Sequence, residues 1–241
     1  IEVGTENSFG QAAKYKQSLV FAINKLDLEH AKFDENVEGL KSNYGNSATV
    51  VQFPANMGIG FNSVVDVLSK SMYVFSSDGK FEKKDIPDAL KSQADSYRSE
   101  LVESIAETDE NLMTKYFDEG DLSEEDLKSG LKKAIADRQI FPIVCTCGKN
   151  NSGTKLLLDF ITNYCPSPAD AVAWKTDDDK DVPMDAKKQN AMLIYKLFSE
   201  AHLGDMTFFK MVSGMLKPGM DLLNEQKNQN ERFNQIFIVN G

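Results

Sequence analysis

The chain has 241 residues, 41% of them apolar, with 37 acidic and 27 basic side chains and a net charge of −10. That length and apolar content can bury one large core or two small ones. The acidic balance argues against general nucleic-acid binding, and no apolar run approaches the roughly 20 residues that a membrane helix needs.

In chain order, a helical pattern through Phe9, Ala12 and Ala13 leads into an apolar run at 18–23, long enough for one buried strand of a parallel sheet. The run stops abruptly at Asn24, Lys25 and Asp27. Ligands of open α/β sheets collect beyond the carboxyl ends of the strands, so these three groups stand where a site is expected. A second helical stretch through Phe33, Val37 and Leu40 precedes a second apolar run at 48–53, which is βαβ grammar. Residues 63–84 read as short strands, VVDVL and MYVF, around a Ser-Ser-Asp-Gly turn. From residue 90 the period becomes helical, with Leu90, Ala94, Tyr97, Leu101 and Ile105 on one face. Ser123 with Asp126 resembles a capping box ahead of Leu127, Leu131 and Ile135.

A β-rich run at 140–147 and a polar turn then lead to an amphipathic helix through Leu156, Leu157, Phe160 and Ile161, which Pro166 and Pro168 stop. After Ala173 a polar, proline-containing stretch reads as a linker or long loop. Beyond it, short strand-like runs separated by turn signals such as Pro218 and Gly219 indicate a β-barrel or sandwich.

The charge is unevenly spread. Residues 95–126 carry 12 acidic and two basic side chains, so the rest of the chain is balanced. A solvated helical face explains this, as does an electrostatic docking surface for a basic partner. Three cysteines, Cys145, Cys147 and Cys165, form no CxxC pair and suit free thiols in a reducing compartment. With no basic and apolar leader pattern at the start, a cytoplasmic location is expected.

Other motifs lead nowhere. Asp177, Asp179 and Asp181 mimic the start of a calcium loop, but the sixth position is Val182 and the twelfth is Lys188. Gly58-Ile-Gly60 lacks the third glycine of a dinucleotide fingerprint and reads as a plain turn. His30 and His202 are isolated, and Cys145 and Cys147 read as small core residues rather than nucleophiles.

Asn24-Lys-Leu-Asp27 at a strand end resembles the guanine-specificity motif of GTPases. An ionised Asp27 can accept two hydrogen bonds from N1–H and the exocyclic amine of guanine, a donor pair that adenine lacks. Asn24 would bond the other side of the base, and the Lys25 stem would cover its face. The stretch 96–171, an acidic helical insert that ends in Pro-Ser-Pro, is similar to translation elongation factor G. So are VVQFPANMGIGFNSVVDVL at the start of the insert and LGDMTFFKMVSGMLKPGMDLLN at the opening of the second, β-barrel domain. The resemblance runs over nearly the whole chain.

It implies a partial P-loop-GTPase-type α/β sheet with an α+β insert, followed by an incomplete all-β barrel. The implied parts are a GTPase domain at 1–46 and 139–170, an acidic insert at 47–138, a linker at 171–190 and the first part of the barrel at 191–241. By the same resemblance the parent binds GTP with magnesium, docks on the ribosome and promotes translocation, and its insert meets the mobile stalk protein; Glu124 and Glu125 are the docking candidates. GTP and GDP are the expected ligands, with no DNA and no membrane. Two other parents remain open: a ribosome-binding homologue without GTPase activity, and a ribosomal protection factor that expels an antibiotic.

The family's phosphate loop (Gly-x-x-x-x-Gly-Lys-Ser/Thr), switch threonine and Asp-x-x-Gly motif do not occur in this sequence. A fragment that begins after them is the expectation, one that by itself binds GTP poorly and has no catalytic residue or metal ligand. Where the family has Ser-Ala, this sequence has Cys147-Gly148-Lys149. The Gly148 amide can still serve guanine O6, but a thiol hydrogen-bonds more weakly than a hydroxyl, so a looser pocket is expected.

Overall fold

The structure, a computed structural model, describes residues 1–76, 80–170, 173–200, 202 and 204–238. The chain divides into two units, Ile1–Pro166 and Ser167–Gly241. The first opens with helix α1 (Val3–Lys14), strand β1 (Phe21–Ile23), helix α2 (Phe33–Tyr44) and strand β2 (Ala48–Val50), in the order the sequence patterns predict. The apolar run at 48–53 is not one strand, however. It bends at Val51, whose amide donates to Ile143 O and whose carbonyl accepts from the Val67 amide, and resumes as β3 (Gln52–Pro54). Fully buried Val50 and Val51 let one short segment serve two sheets.

The second of these sheets is antiparallel. It contains β3, β4 (Ser63–Asp66), β5 (Ser71–Phe75) and β6 (Phe81–Lys84), paired in that order. Of the predicted Ser-Ser-Asp-Gly turn, Ser77, Asp78 and Gly79 lie outside the described residues. Helices α3 (Asp88–Ala106), α4 (Glu110–Glu119) and α5 (Glu124–Ala136) follow. Their apolar stripes bury Leu101, Ile105, Leu131 and Ile135, as the 3.6-residue spacing requires. A Cβ on Gly130 would stand 2.7 Å from Leu112 Cδ1 and 2.8 Å from Ile105 Cγ2, so the absence of a side chain there allows the three helices to close together.

The predicted cap is present: Ser123 Oγ accepts from the Asp126 amide at 3.1 Å, and Asp126 also receives Lys115 Nζ at 2.7 Å. The Lys115 ammonium first, and the Ser123 hydroxyl second, hold the Asp126 carboxyl below the usual carboxylate range.

Strand β7 (Phe141–Cys145) returns to the first sheet and pairs in parallel with both β1 and β2, in the order β1-β7-β2. Helix α6 (Thr154–Tyr164) completes the unit. Among the described residues β1, the strand expected to be buried, is flanked by β7 alone and lies at the edge of this sheet with Ala22 exposed; the strands buried at every position are β2 and β7. Arg138 ties α1 to the sheet. Its guanidinium donates to Ala12 O and Gln17 O and lies over the rings of Phe9 and Phe141.

In the second unit, a 3-10 turn (Pro168–Asp170) precedes β8 (Trp174–Lys175) and β9 (Asp181–Val182), a small hairpin inside the stretch read as a linker. Lys175 bridges Asp179 and Asp181, so two of the three aspartates that mimic a calcium loop carry an ion pair instead. Strands β10 (Ala191–Glu200), β11 (Gly204–Ser213), β12 (Met220–Asn224) and β13 (Gln229–Phe233) form two further antiparallel hairpins. The unit is β-rich, as its turn signals predict.

Candidate functional site

The parallel pairing of β1 and β7 decides the site. Their register places Ile23 opposite Cys145, and the Thr146 amide donates to Ile23 O at 2.9 Å, which carries the ladder one step past the strand ends. Two loops that are remote in sequence therefore leave the sheet side by side. Asn24 Oδ1 accepts from the Gly148 amide at 3.0 Å. Because that amide can only donate, the Asn24 oxygen faces Gly148 and its Nδ2 is turned away, free to donate to a ring nitrogen.

Asp27 is the more sheltered acid, with 17% of its side chain exposed. Cys147 neighbours its carboxylate, and Lys149 Nζ lies 4.0 Å from Oδ2. Cys147 is fully buried; burial, and then Asp27, push its thiol above its ordinary value, so it stays protonated and is no nucleophile. Lys149 is 85% exposed and its ion pair contributes little. Lys25 is exposed and holds a left-handed backbone with φ 62°, a conformation rare for a residue with a side chain. Leu26 is buried next to it and the Leu28 amide donates to Lys25 O, which closes a turn around Asp27.

The opposite wall is braced locally. Cys147 N donates to Ser152 O at 2.7 Å and the Ser152 amide to Asn150 Oδ1 at 3.2 Å, which closes the 147–152 loop. Gly153 follows with φ 79°, and a Cβ there would stand 2.4 Å from Cys145 O. Residues 147–149 stand in the sequence as the counterpart of the family's Ser-Ala, while residues 150–153 read as a polar turn; the Ser-Gly step before a helix was the available signal of the close approach. An open cavity of about 590 Å³ lies on the α2 side, lined in part by Asn24, Lys25, His30 and Lys32, and does not reach the 147–149 loop.

The arrangement presents an acceptor pair at Asp27, an amide donor at Asn24, a backbone donor at Gly148 and a hydrocarbon stem at Lys25. Among the described residues no group of three or more His, Cys, Asp or Glu could hold a metal ion, so the magnesium expected of the parent has no such ligand set here. Glu124 and Glu125 are elsewhere, exposed in the first turn of α5, where they favour the helix dipole.

Residues 1–167 match the family model described as the elongation factor Tu GTP binding domain. The chain belongs to this family of elongation-factor GTPases. Within it, the chain is elongation-factor-G-like: it is 31% identical over 242 residues to elongation factor G of Mycoplasma pneumoniae, covering 98% of this chain and 35% of that protein. A crystal structure from Thermus thermophilus superposes with a TM-score of 0.79 at 22% identity, over 97% of this chain and 33% of that one, and shows a shared fold. The elongation-factor chain therefore spans about a third of the length of these relatives. No helix among its described residues is long and apolar enough to cross a membrane.

Proposed function

We propose that this chain is part of an elongation-factor-G-like translational GTPase and that its own contribution to the nucleotide site is to read guanine. The observation that carries this reading is the convergence of Asn24, Asp27 and Gly148 at the ends of two adjacent parallel strands. Asp27 accepts from N1–H and the 2-amine, Asn24 Nδ2 donates to the ring, and the Gly148 amide, shared with Asn24, serves O6. The parent binds GTP and GDP, works in the cytoplasm on the ribosome and uses hydrolysis to drive translocation and switch conformation. The β1-β7-β2 sheet belongs to its GTPase domain, which takes β2 out of the insert first bounded at 47–138, so the insert runs from β3 to α5, and the hairpins from β10 onward are the start of a barrel domain.

Xanthine carries a carbonyl where guanine has its 2-amine. Asp27→Asn in the intact factor should therefore weaken GTP binding by roughly tenfold to a hundredfold, the worth of a hydrogen bond to a charged group, and favour XTP over GTP. Titration of both nucleotides reads this out, and an unchanged preference would reject the assignment of Asp27.

The acidic insert is the proposed docking face for the ribosomal stalk. Lys115 and Lys133 are engaged by Asp126 and Asp109, which leaves Glu124 and Glu125, among the described residues, open to a basic partner. Reversing both to lysine should slow association with stalk-bearing ribosomes at low salt, with the difference shrinking as salt rises. Stopped-flow rates that match wild type at low salt would remove this face from the encounter.

A further inference from the structure

We infer that Asn56, in the loop between β3 and β4, is a positioning residue for guanine recognition: it holds the loop whose Gly58 amide fixes the turn that presents Asp27. The inference rests on Asp27 being the guanine acceptor. The Gly58 N–H donates to Leu26 O at 2.9 Å, one residue before Asp27. Leu26 is buried, so its carbonyl has little access to water and needs this partner. The turn it belongs to contains Lys25 in a left-handed conformation, which persists in a non-glycine residue only where its surroundings over-determine it. Burial of Leu26 supplies one such restraint and the Gly58 bond another.

Asn56 builds the donor. Its Oδ1 accepts from the amides of Asn62 at 3.3 Å and Ser63 at 3.0 Å, and its Nδ2 donates to Gly60 O at 2.9 Å. One side chain thus ties both limbs of the loop together, while the Phe61 amide donates to Gly58 O and the Phe61 ring is buried. Gly58 and Gly60 both have positive φ, 81° and 90°, so the Gly-Ile-Gly step is a turn that delivers one backbone donor to the base-reading loop. Asn56 touches neither base nor phosphate; its effect passes through Gly58 and Leu26 to the carboxylate.

ITP lacks the 2-amine that Asp27 reads, so the ratio of GTP to ITP affinity reports the aim of that carboxylate. In the intact factor, Asn56→Ala should lower this ratio by roughly threefold to tenfold, about one hydrogen bond, and should speed amide exchange at Gly58 and Leu28. Asn56→Asp keeps the acceptor for the Asn62 and Ser63 amides and should lose less of the ratio. Where the alanine variant fails to fold, Asn56→Ser supplies the same comparison. A wild-type ratio in Asn56→Ala, while Asp27→Ala abolishes the preference, would overturn the role of Asn56 and leave the guanine reading standing. A wild-type factor that shows no GTP preference and no response to Asp27→Ala would overturn the guanine reading, and this inference with it.

Discussion

Alanine at Gly153 is expected to destabilise the first unit by about 2–5 kcal/mol. A left-handed backbone costs a residue with a Cβ about 1–2 kcal/mol, and forcing an atom into filled space adds about 1–3 kcal/mol. Here the atom would meet backbone, 2.4 Å from Cys145 O, and φ is 79°, so a change of rotamer cannot relieve the clash. The shift must move the 147–152 loop or the end of β7, and with them Gly148 and its bond to Asn24. Urea unfolding followed by circular dichroism measures the loss. A stability within about 0.5 kcal/mol of wild type, the range of an ordinary surface substitution, would contradict the close approach seen at this turn.

The second large effect concerns affinity. On its own, this 241-residue chain should bind GTP with a dissociation constant near 1 mM and hydrolyse none of it. A good bidentate base contact is worth roughly 1–3 kcal/mol, and even a generous total of about 4 kcal/mol corresponds to that constant. Tight binding of a nucleotide comes from a backbone N–H nest, a lysine and a metal ion around the phosphates, and the sequence motif that builds them is not in this chain. Calorimetry with GTP and magnesium checks the value. A micromolar constant abolished by Asp27→Ala would reveal a phosphate site formed by other residues and would end the view that this chain reads only the base.

Several features were legible from the residues alone because each is a local signal. The amphipathic stripes of α3 and α5, the Ser123 cap and the alternation from α1 to β2 depend on spacings within a dozen positions, and local hydrogen bonding or one-sided burial suffices to produce them. Asn24 and Asp27 were legible for the same reason: a polar group just past an apolar run has few places to be in a parallel sheet.

What the tertiary structure alone decided involves partners far apart along the chain. That β1 is an edge strand depends on which strands flank it, and its apolar run reads the same at the edge as in the centre. The bend at Val51 depends on Ile143 and Val67 offering hydrogen bonds on two sheets at once. Cys147 stood in the sequence as a core thiol and as the counterpart of the family's serine; only the fold shows that Asp27, remote in sequence, is its neighbour and adds to the burial that raises its thiol. Gly58 and Asn56 looked like an ordinary turn, which they are, and nothing in their own neighbourhood announces that the Gly58 amide ends on Leu26 O. The sequence by itself determined the chemistry of Asn24, Asp27 and Gly148 and the helices and strands that carry them. Their mutual aim came from parallel pairing of β1 with β7, because such contacts close long loops and are selected by the packing of the whole unit rather than by any local preference.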